Sequence, residues 1–196
     1  MSFTLFEFGT AGDSATIATD RHLIVDASAR AGTVSEAIPN PPVSVSRYCF
    51  EDEGAMLRSW QGLVAERPAG TLFIATRDYP QIEQPERAGG AMLFVPVQRR
   101  PDLDRDAFHA HWHSHGPLIL EILPGLLGYV QHHVTPPLYE HEASDYDGVA
   151  RFWFADLNAV AELPVTHPDQ FARIVADEGN FLALPIENYV GHRAES

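Results

Sequence analysis

Four histidines and a tryptophan lie close together in the segment FHAHWHSHGP, which runs from Phe108 to Pro117. Histidine is the side chain whose ordinary pKa lies nearest to neutral pH, so it can serve as a general acid, a general base or a metal ligand. A histidine held at the mouth of an apolar pocket could therefore exchange a proton with a bound molecule. This segment is the part of the chain where the residue types most favour chemistry.

The segment is predicted to form a helix that begins after Asp104. The Asp104 carboxylate can accept hydrogen bonds from the first turn of the helix. Gly116 and Pro117 are expected to end or kink it, because proline cannot donate a backbone hydrogen bond. At about 100° per residue, the predicted buried face carries Phe108, Trp112 and His115, with His111 at its edge. The other two histidines of the segment point away from that face.

Three interpretations of these histidines are open. They could be ordinary solvated or packing residues with no chemical role. Two histidines spaced i, i+4 could also share a metal ion, but neither His-Glu-x-x-His nor Cys-x-x-Cys occurs, so no metal site is expected. In the third interpretation, which we take as the working hypothesis, His115 acts as a general acid or base.

The charge of the chain argues against polyanionic partners. The chain has 196 residues and a net charge of −14, and 45% of its residues are hydrophobic, which is typical of a globular protein with a substantial core. Nucleic acids and anionic membrane surfaces are bound through clustered positive charge, so neither is expected as a partner. We expect a small-molecule substrate and no cofactor.

Missing residue types exclude several kinds of chemistry. All thirteen basic residues are arginine, and a chain without lysine cannot form a lysine Schiff base or use a P-loop lysine. Cys49 is the single cysteine, so the chain has no intrachain disulfide and suits a reducing cytoplasm. The sequence has no signal-peptide pattern and no apolar run of membrane-spanning length, which predicts a cytoplasmic protein.

The C-terminal half alternates strand-like and helix-like segments in the order βαββαβ. These segments are AMLFVPV, the helix after Asp104, GYVQHHV, GVARFWF, the helical stretches LNAVAEL and FARIVADEGNFL, and a last strand over 187–192. In the N-terminal half, strands are predicted over 3–8, 45–50 and 71–75, and a helix over 52–66. The stretch 22–38 is ambiguous between strand and helix. Residues 79–90, rich in proline, glycine and charge, are predicted to be a linker.

A short match between the halves suggests an internal duplication. RYCFED at 47–52 resembles RFWFAD at 151–156, and each closes a predicted strand just before a predicted helix. We therefore predict a degenerate repeat over residues 1–85 and a better preserved domain over residues 86–196.

The predicted strand GYVQHHV could line a pocket together with His115. Side chains alternate along a strand. One face of this strand therefore carries Tyr129, Gln131 and His133, and the other carries Val130, His132 and Val134. Either face could meet His115. We favour the first, because polar groups that converge in an apolar cleft suit a small-molecule site.

Tyr146 and Asp147 precede the next predicted strand. They could orient a histidine or hold a hydroxyl group of a substrate. They could equally form an ordinary turn, since Asp-Gly is a common turn sequence.

Between residues 92 and 193 the sequence resembles the EthD domain family of the dimeric α/β-barrel superfamily. The resemblance rests on four segments in the same order, RRPDLDRDAFHAHWHSHGPLI, LPGLLGYVQHHV, YDGVARFWFAD and ADEGNFL. It implies an α+β fold of ferredoxin-like βαββαβ units, whose antiparallel sheets form a barrel. In that family the barrel normally needs two chains. The duplication here suggests either a homodimer or an intrachain pseudo-dimer in which one chain supplies both sheets.

The resemblance also implies a class of reactions. Relatives include dehydratases and cyclising enzymes of aromatic polyketide pathways, and the superfamily includes muconolactone-type isomerases, cofactor-free monooxygenases and haem enzymes. We therefore predict a cofactor-independent lyase or isomerase that acts on an oxygenated aromatic, polyketide-like or lactone substrate by removing a proton next to a carbonyl. The alternatives are a non-catalytic protein that binds hydrophobic ligands, and a cofactor-free or haem-dependent oxygenase.

The predicted site residues fall into two groups. The catalytic group is His115, Tyr129 and His133, with His115 as acid or base and Tyr129 or Tyr146 as donor to the developing oxyanion. The substrate-binding group is Phe108, His111, Trp112, Gln131, Tyr146 and Asp147, with Phe108 and Trp112 as an apolar wall. No metal ligand is assigned.

Overall fold

The computed structural model describes residues 2–9, 20–31, 34–38, 40–66, 71–83, 90–123, 125–135 and 145–193. The first half of the chain contains the strands β1 (Phe3–Gly9), β2 (Asp20–Ala31), β3 (Val34–Ala37) and β4 (Ser44–Phe50), the helix α1 (Glu53–Glu66) and the strand β5 (Leu72–Glu83). The second half contains β6 (Ala91–Val97), α2 (Arg105–Ile122), β7 (Leu126–His133), β8 (Gly148–Phe154), α3 (Leu157–Thr166), α4 (Pro168–Glu178) and β9 (Ile186–Arg193). None of these described helices is long and apolar enough to cross a membrane.

Both halves arrange four strands in the same order. In the second half the sheet order is β7-β8-β6-β9, so the second, third, first and fourth strands of a βαββαβ unit lie side by side. In the first half, the order β2-β4-β1-β5 repeats that arrangement. The predicted duplication of ferredoxin-like units is therefore confirmed. Residues 10–19, which connect β1 to β2, lie outside the described residues.

The two four-stranded sheets join edge to edge into a closed barrel. β5 pairs antiparallel with β7, and β2 pairs antiparallel with β9, so eight strands form a ring in which each has two neighbours. β3 extends the sheet beside β2. One chain thus supplies both sheets of the barrel, as the intrachain form of the prediction expects.

The sequence match between the halves marks equivalent positions in the fold. It closes β4 before α1 and closes β8 before α3. Asp52 Oδ1 accepts a hydrogen bond from Ala55 N at 2.7 Å. Asp156 Oδ1 accepts one from Ala159 N at 2.9 Å, so both repeats begin a helix with the same aspartate cap.

The predicted linker over 79–90 is wrong for residues 79–83. These residues belong to β5, and their pairing with β7 joins the two halves of the barrel. Pro80 lies at a bulge in this pairing, where a residue without a backbone N–H is tolerated. The backbone hydrogen bonds of the barrel therefore outweigh the local turn preference of proline. Residues 84–89 lie outside the described residues.

Gly116 and Pro117 do not end α2, which continues to Ile122. Ile119 and Ile122, beyond the proline, are buried in the core. Their burial outweighs the one backbone hydrogen bond that proline cannot donate. His115 therefore lies within the helix rather than at its end.

Side chains of the barrel strands alternate between two hydrophobic clusters. The first cluster includes the barrel interior, where Phe6 of β1 meets Phe94 of β6 with ring centroids 6.3 Å apart. The second lies between the C-terminal sheet and the helices α2 and α4, and it includes Trp112 and Tyr129. On β7, Val130 belongs to the first cluster and Tyr129 to the second, as the alternating pattern predicts.

A buried polar group lies in the barrel interior around His132. His132 Nδ1 lies 2.8 Å from Asp78 Oδ1, and Arg151 Nε donates a hydrogen bond to His132 Nε2 at 3.3 Å. Because arginine can only donate, this Nε2 is unprotonated and the ring is neutral. Burial lowers the pKa of His132 to about 4, although the Asp78 carboxylate opposes that shift.

We predict that the protein loses stability as the pH falls from about 6.5 to about 4. In that range the unfolded chain binds a proton at His132 and the folded chain does not, so protons favour unfolding. The contribution of neutral His132 to the free energy of unfolding is complete above pH 6.5. Up to about 3 kcal/mol of this contribution is lost as the pH falls to about 4. Urea unfolding at a series of pH values measures this loss.

Two variants test the contribution of His132 against that of a half-exposed histidine. His132→Asn should reduce the pH dependence of the free energy of unfolding by the contribution of one histidine, and buried His133, whose pKa is lowered to about 2, should keep part of it. His167→Asn, at the half-exposed residue before α4, should leave the dependence as it is. An unchanged slope in His132→Asn would contradict the assignment of the acid sensitivity to this group.

Gly148, the first residue of β8, has no room for a side chain. A Cβ there would lie 2.3 Å from the backbone oxygen of His132 and 2.6 Å from the Trp112 ring. We predict that Gly148→Ala lowers the free energy of unfolding by about 3 kcal/mol or prevents folding, because the strand backbone cannot move aside. Gly62→Ala, in α1, meets nothing within 4 Å and should raise it by up to about 1 kcal/mol. Thermal unfolding measures both changes, and equal stability of the two variants would contradict this packing.

Candidate active site

A mostly apolar cavity of about 340 Å³ lies between the C-terminal sheet and the helices α2, α3 and α4. This volume lies in the range of small-molecule sites, roughly 300–1,000 Å³. Its apolar walls include Val95, Ile119, Phe152, Phe154, Phe171 and Phe181. Its polar lining includes Ser28, His115, Tyr129, Glu178 and Asn188. The arrangement suits a small, largely apolar molecule that carries a few polar groups.

His115 lines the cavity from α2 and is bound to a carboxylate on α4. Its side chain is buried, with 4% of its surface exposed, and its Nδ1 lies 2.6 Å from Asp177 Oδ2. The carboxylate accepts the Nδ1 proton, which leaves Nε2 as the ring nitrogen with an available lone pair. His115 is therefore held in the tautomer whose Nε2 can accept a proton.

Asp177 joins two histidines of α2. Its Oδ1 lies 3.3 Å from His111 Nε2, and His111 stacks on Phe181 with ring centroids 4.6 Å apart. Burial alone would raise the pKa of the Asp177 carboxyl, but the hydrogen bonds from His115 and His111 outweigh burial and lower it. The ionised carboxylate thus fixes the orientation of His115. His111 is not among the residues that line the cavity, and its polar contact is with Asp177.

Asp177 is a site residue that the sequence reasoning missed. It lies 62 residues after His115, in a helical stretch without a recognisable catalytic motif. A partial signal was present, because His111 and His115 are spaced i, i+4 and can reach both oxygens of one carboxylate. The sequence does not indicate which of its many acidic residues supplies that carboxylate.

Tyr129 lines the cavity from β7 and is fully buried. Its ring stacks on Phe152 with centroids 4.4 Å apart, and its phenol oxygen accepts a hydrogen bond from Gln131 Nε2 at 3.0 Å. Burial raises the pKa of this phenol well above its usual value, although hydrogen bonds from Gln131 and Trp112 oppose the shift. Tyr129 therefore stays protonated and can donate a hydrogen bond.

Gln131 and His133 share the Tyr129 face of β7 but are not among the residues that line the cavity. Gln131 Nε2 donates to the backbone oxygen of Trp112 at 2.6 Å. His133 stacks on the Trp112 indole with centroids 4.1 Å apart, and its Nδ1 lies 2.6 Å from His109 Nδ1. Burial and the neighbouring histidines lower the pKa of His133 to about 2. His133 is thus a neutral ring that supports Trp112.

Phe108 and Tyr146 also lie away from the cavity. Phe108 packs against Trp112 with ring centroids 5.5 Å apart. Tyr146 donates a hydrogen bond to Glu187 at 2.7 Å and packs against the first hydrophobic cluster. The predicted site residues that line the cavity are His115, Tyr129 and Trp112.

Asp147 is buried and holds two arginines. It forms ion pairs with Arg99 and Arg105, and its Oδ2 accepts a hydrogen bond from the backbone N–H of Arg99 at 2.9 Å. Arg105 is the first residue of α2. Asp147 therefore ties the start of α2 to the sheet and does not line the cavity.

The N-terminal repeat also reaches the cavity. Ser28 of β2 pairs with Asn188 of β9 across one of the two seams that close the barrel, and both residues line the cavity. Glu178, next to Asp177 on α4, adds an acidic side chain. The contribution of Ser28 could not be predicted, because the stretch that contains β2 was ambiguous between strand and helix.

The described residues provide neither a multi-ligand site for a metal ion nor cationic partners for the carboxylates of a haem. Among the described residues, no group of three or more His, Cys, Asp or Glu side chains is arranged to hold a metal. The two Nδ1 atoms of His109 and His133 lie at a hydrogen-bond distance, closer than two nitrogens that each bind zinc at about 2.0–2.1 Å. A haem carries two carboxylates, and the described cavity walls include no arginine to pair with them.

The architecture first defines a class of protein. A closed antiparallel barrel of eight strands, with helices packed on the outer face of its sheets, is the dimeric α/β-barrel fold, here completed within one chain. Residues 100–185 match the model of the EthD domain family. The resemblance carried by the four segments of the C-terminal half is therefore confirmed.

Several solved structures share the fold over nearly the whole chain. An anthrone oxidase-like protein is 9% identical, with a TM-score of 0.57 over 99% of this chain and 91% of that one. A mutant chlorite dismutase from Candidatus Nitrospira defluvii is 11% identical, with a TM-score of 0.56 over 99% and 92%. A candidate monooxygenase from Fusobacterium nucleatum is 6% identical, with a TM-score of 0.55 over 99% and 92%. No curated protein sequence matches the chain, and likeness at these identities establishes the fold alone.

Proposed function

We propose that this protein is a cofactor-independent enzyme of the lyase or isomerase type. Its reaction begins when a proton is removed from a small, uncharged, oxygenated ring compound bound in the cavity. The observation that carries the proposal is the 2.6 Å contact between His115 Nδ1 and Asp177 Oδ2 at the wall of a mostly apolar cavity. His115 is the general base, and Tyr129 donates a hydrogen bond to the oxygen on which negative charge develops.

The proton leaves a carbon that is next to a carbonyl group or conjugated with it. The C–H bond breaks, its electron pair moves toward the carbonyl to give an enolate, and the proton goes to His115 Nε2. The ionised Asp177 stabilises the resulting imidazolium, as a carboxylate does beside a histidine base in other enzymes. The enolate oxygen accepts a hydrogen bond from the Tyr129 phenol, whose raised pKa keeps it protonated.

The charge of the cavity favours an uncharged substrate. Its described lining contains the acidic Glu178 and no arginine. A carboxylate or phosphate group buried there would have no cationic partner, which is unfavourable. A neutral ring compound fits better, with its carbonyl at Tyr129 and a further hydroxyl group at Ser28 or Asn188.

The enolate has three chemical outcomes. Return of the proton to a different carbon gives an isomerase. Departure of a hydroxyl group, which takes the proton from His115 and leaves as water, gives a dehydratase. Reaction of the enolate with oxygen gives an oxygenase. The first two are favoured because the base can hand the same proton back within the cavity, and a protein that only binds the compound is the remaining alternative.

Anthrone is a suitable probe, because it is an uncharged planar ketone with an acidic methylene group. NMR of anthrone in heavy water without oxygen measures the exchange of the methylene hydrogens. The proposal predicts exchange that is faster than in buffer and saturates with anthrone, with no added metal or cofactor. Oxygen uptake in an aerated sample identifies the oxygenase outcome. Saturable binding without accelerated exchange would contradict the proposal. It would favour the alternative of a protein that only binds the compound.

A further inference from the structure

We propose that a hydrogen-bonded relay behind the cavity wall holds Tyr129 as a donor directed into the cavity. The relay consists of Gln131, His133 and His109, and it is separate from the His115–Asp177 pair. The inference rests on the proposed function, in which Tyr129 serves the developing oxyanion. Gln131 is a positioning residue in this relay, since it acts on a bound molecule only through Tyr129.

The orientation of the Gln131 amide is fixed by an acceptor that cannot donate. The backbone oxygen of Trp112 lies 2.6 Å from Gln131 Nε2, and a carbonyl only accepts, so the amide nitrogen must face it. The second hydrogen on Nε2 goes to the phenol oxygen of Tyr129 at 3.0 Å. The amide oxygen, Oε1, therefore faces the other way and can only accept.

This amide orientation fixes the protons on both histidines. Gln131 Oε1 lies 3.3 Å from His133 Nε2, so Nε2 must carry the hydrogen. A neutral imidazole has one N–H, which makes His133 Nδ1 an acceptor. His109 Nδ1, 2.6 Å away, must then donate to it. Every hydrogen bond of the relay points from His109 toward Tyr129.

The end of the relay determines what Tyr129 can do. Its oxygen accepts a hydrogen bond from Gln131 Nε2 at 3.0 Å, so toward the relay the phenol acts as an acceptor. In the part of the chain that the structure describes, the phenol donates to no other residue. Because Tyr129 lines the cavity, its hydrogen is available to an acceptor atom of a bound molecule.

The relay makes a prediction about ligands that simple packing does not. A cavity with a fixed donor should prefer a ring compound that carries a carbonyl over a hydrocarbon of the same shape. A glutamine that only filled space behind the wall would support the binding of both compounds equally. Anthrone and dihydroanthracene form such a pair, because they share a ring framework and differ in the carbonyl group.

The first arm of the test needs no ligand. NMR of the full-length protein with nitrogen-labelled histidine reads which ring nitrogen carries the proton. His133 is expected as the Nε2–H tautomer and His109 as the Nδ1–H tautomer. His133 in the Nδ1–H form would overturn the relay, and this result would leave the role of His115 untouched.

The second arm compares the affinities for anthrone and dihydroanthracene. The wild-type protein should prefer anthrone by about fivefold to tenfold. Tyr129→Phe and Gln131→Leu should lose the preference, and Gln131→Glu should also lose it, because a carboxylate accepts from the phenol instead of donating to it. His113→Gln, exposed on α2 and outside the relay, is the control that should keep it.

The outcomes of the second arm are distinguishable. If Gln131→Leu and Gln131→Glu weaken the binding of both compounds equally, Gln131 has a packing role and the relay is overturned. Equal affinities in the wild-type protein would also overturn the relay, while proton abstraction by His115 would still be tested by hydrogen exchange. If neither compound binds, the proposed function is overturned, and the relay with it.

Discussion

His115→Gln is expected to slow the exchange of the anthrone methylene hydrogens by about 10²–10⁴-fold, the range typical of a well-placed general base. Glutamine keeps the approximate length of the side chain and can still bond to Asp177, but it cannot accept a proton at neutral pH. The affinity for anthrone should change little, because the apolar walls of the cavity are unaltered. NMR exchange rates and a binding titration on the same samples measure the two effects.

Two further variants sharpen this prediction. Asp177→Asn removes the charge that stabilises the imidazolium and should lose part of the rate while the fold is kept. His113→Gln lies on the same helix as His115, is exposed, and should exchange anthrone at the wild-type rate. If His115→Gln and His113→Gln exchange anthrone equally fast, His115 is not the base.

Tyr129→Phe is expected to reduce the exchange rate by about 10²–10³-fold, the usual effect of removing one donor to a developing oxyanion. The ring stays in place, since its stacking on Phe152 does not involve the hydroxyl group. Only the hydroxyl group is lost. The exchange rate should therefore fall, while the affinity for dihydroanthracene is kept. Exchange rates at saturating anthrone, compared with the binding constants of both compounds, measure this separation.

Tyr146→Phe is the matched control for this second prediction. Both tyrosines were candidates for the oxyanion donor on sequence grounds, but Tyr146 is bonded to Glu187 on the side of the first hydrophobic cluster. Its substitution should leave the exchange rate unchanged. Equal losses in Tyr129→Phe and Tyr146→Phe would show that the phenol in the cavity has no special role.

The repeated parts of the fold could be predicted because their signals are local. The match between 47–52 and 151–156 marks the same strand end and the same aspartate cap in both halves. The alternation along β7 places Tyr129 and Val130 on opposite faces of the sheet. Propensity and periodicity act over a few residues, and here they agree with the final structure.

The parts that could not be predicted depend on contacts that are distant in sequence. β2 was ambiguous by composition, and its pairing with β9 decides its form. Pro80 suggested a linker, but the pairing with β7 holds it in a strand. Asp177 became a candidate only when α4 was seen to pack its carboxylate against His115 and His111. In each case tertiary contacts outweigh a local preference.

The most direct test of the central claim is a crystal structure of the protein with anthrone bound. We expect anthrone in the cavity beside Trp112, with its methylene carbon about 3–3.5 Å from His115 Nε2. Its carbonyl oxygen should lie about 2.7–3.1 Å from the Tyr129 hydroxyl oxygen. Anthrone bound elsewhere, or bound in the cavity with its methylene group out of reach of His115, would contradict the assignment of His115 as the base.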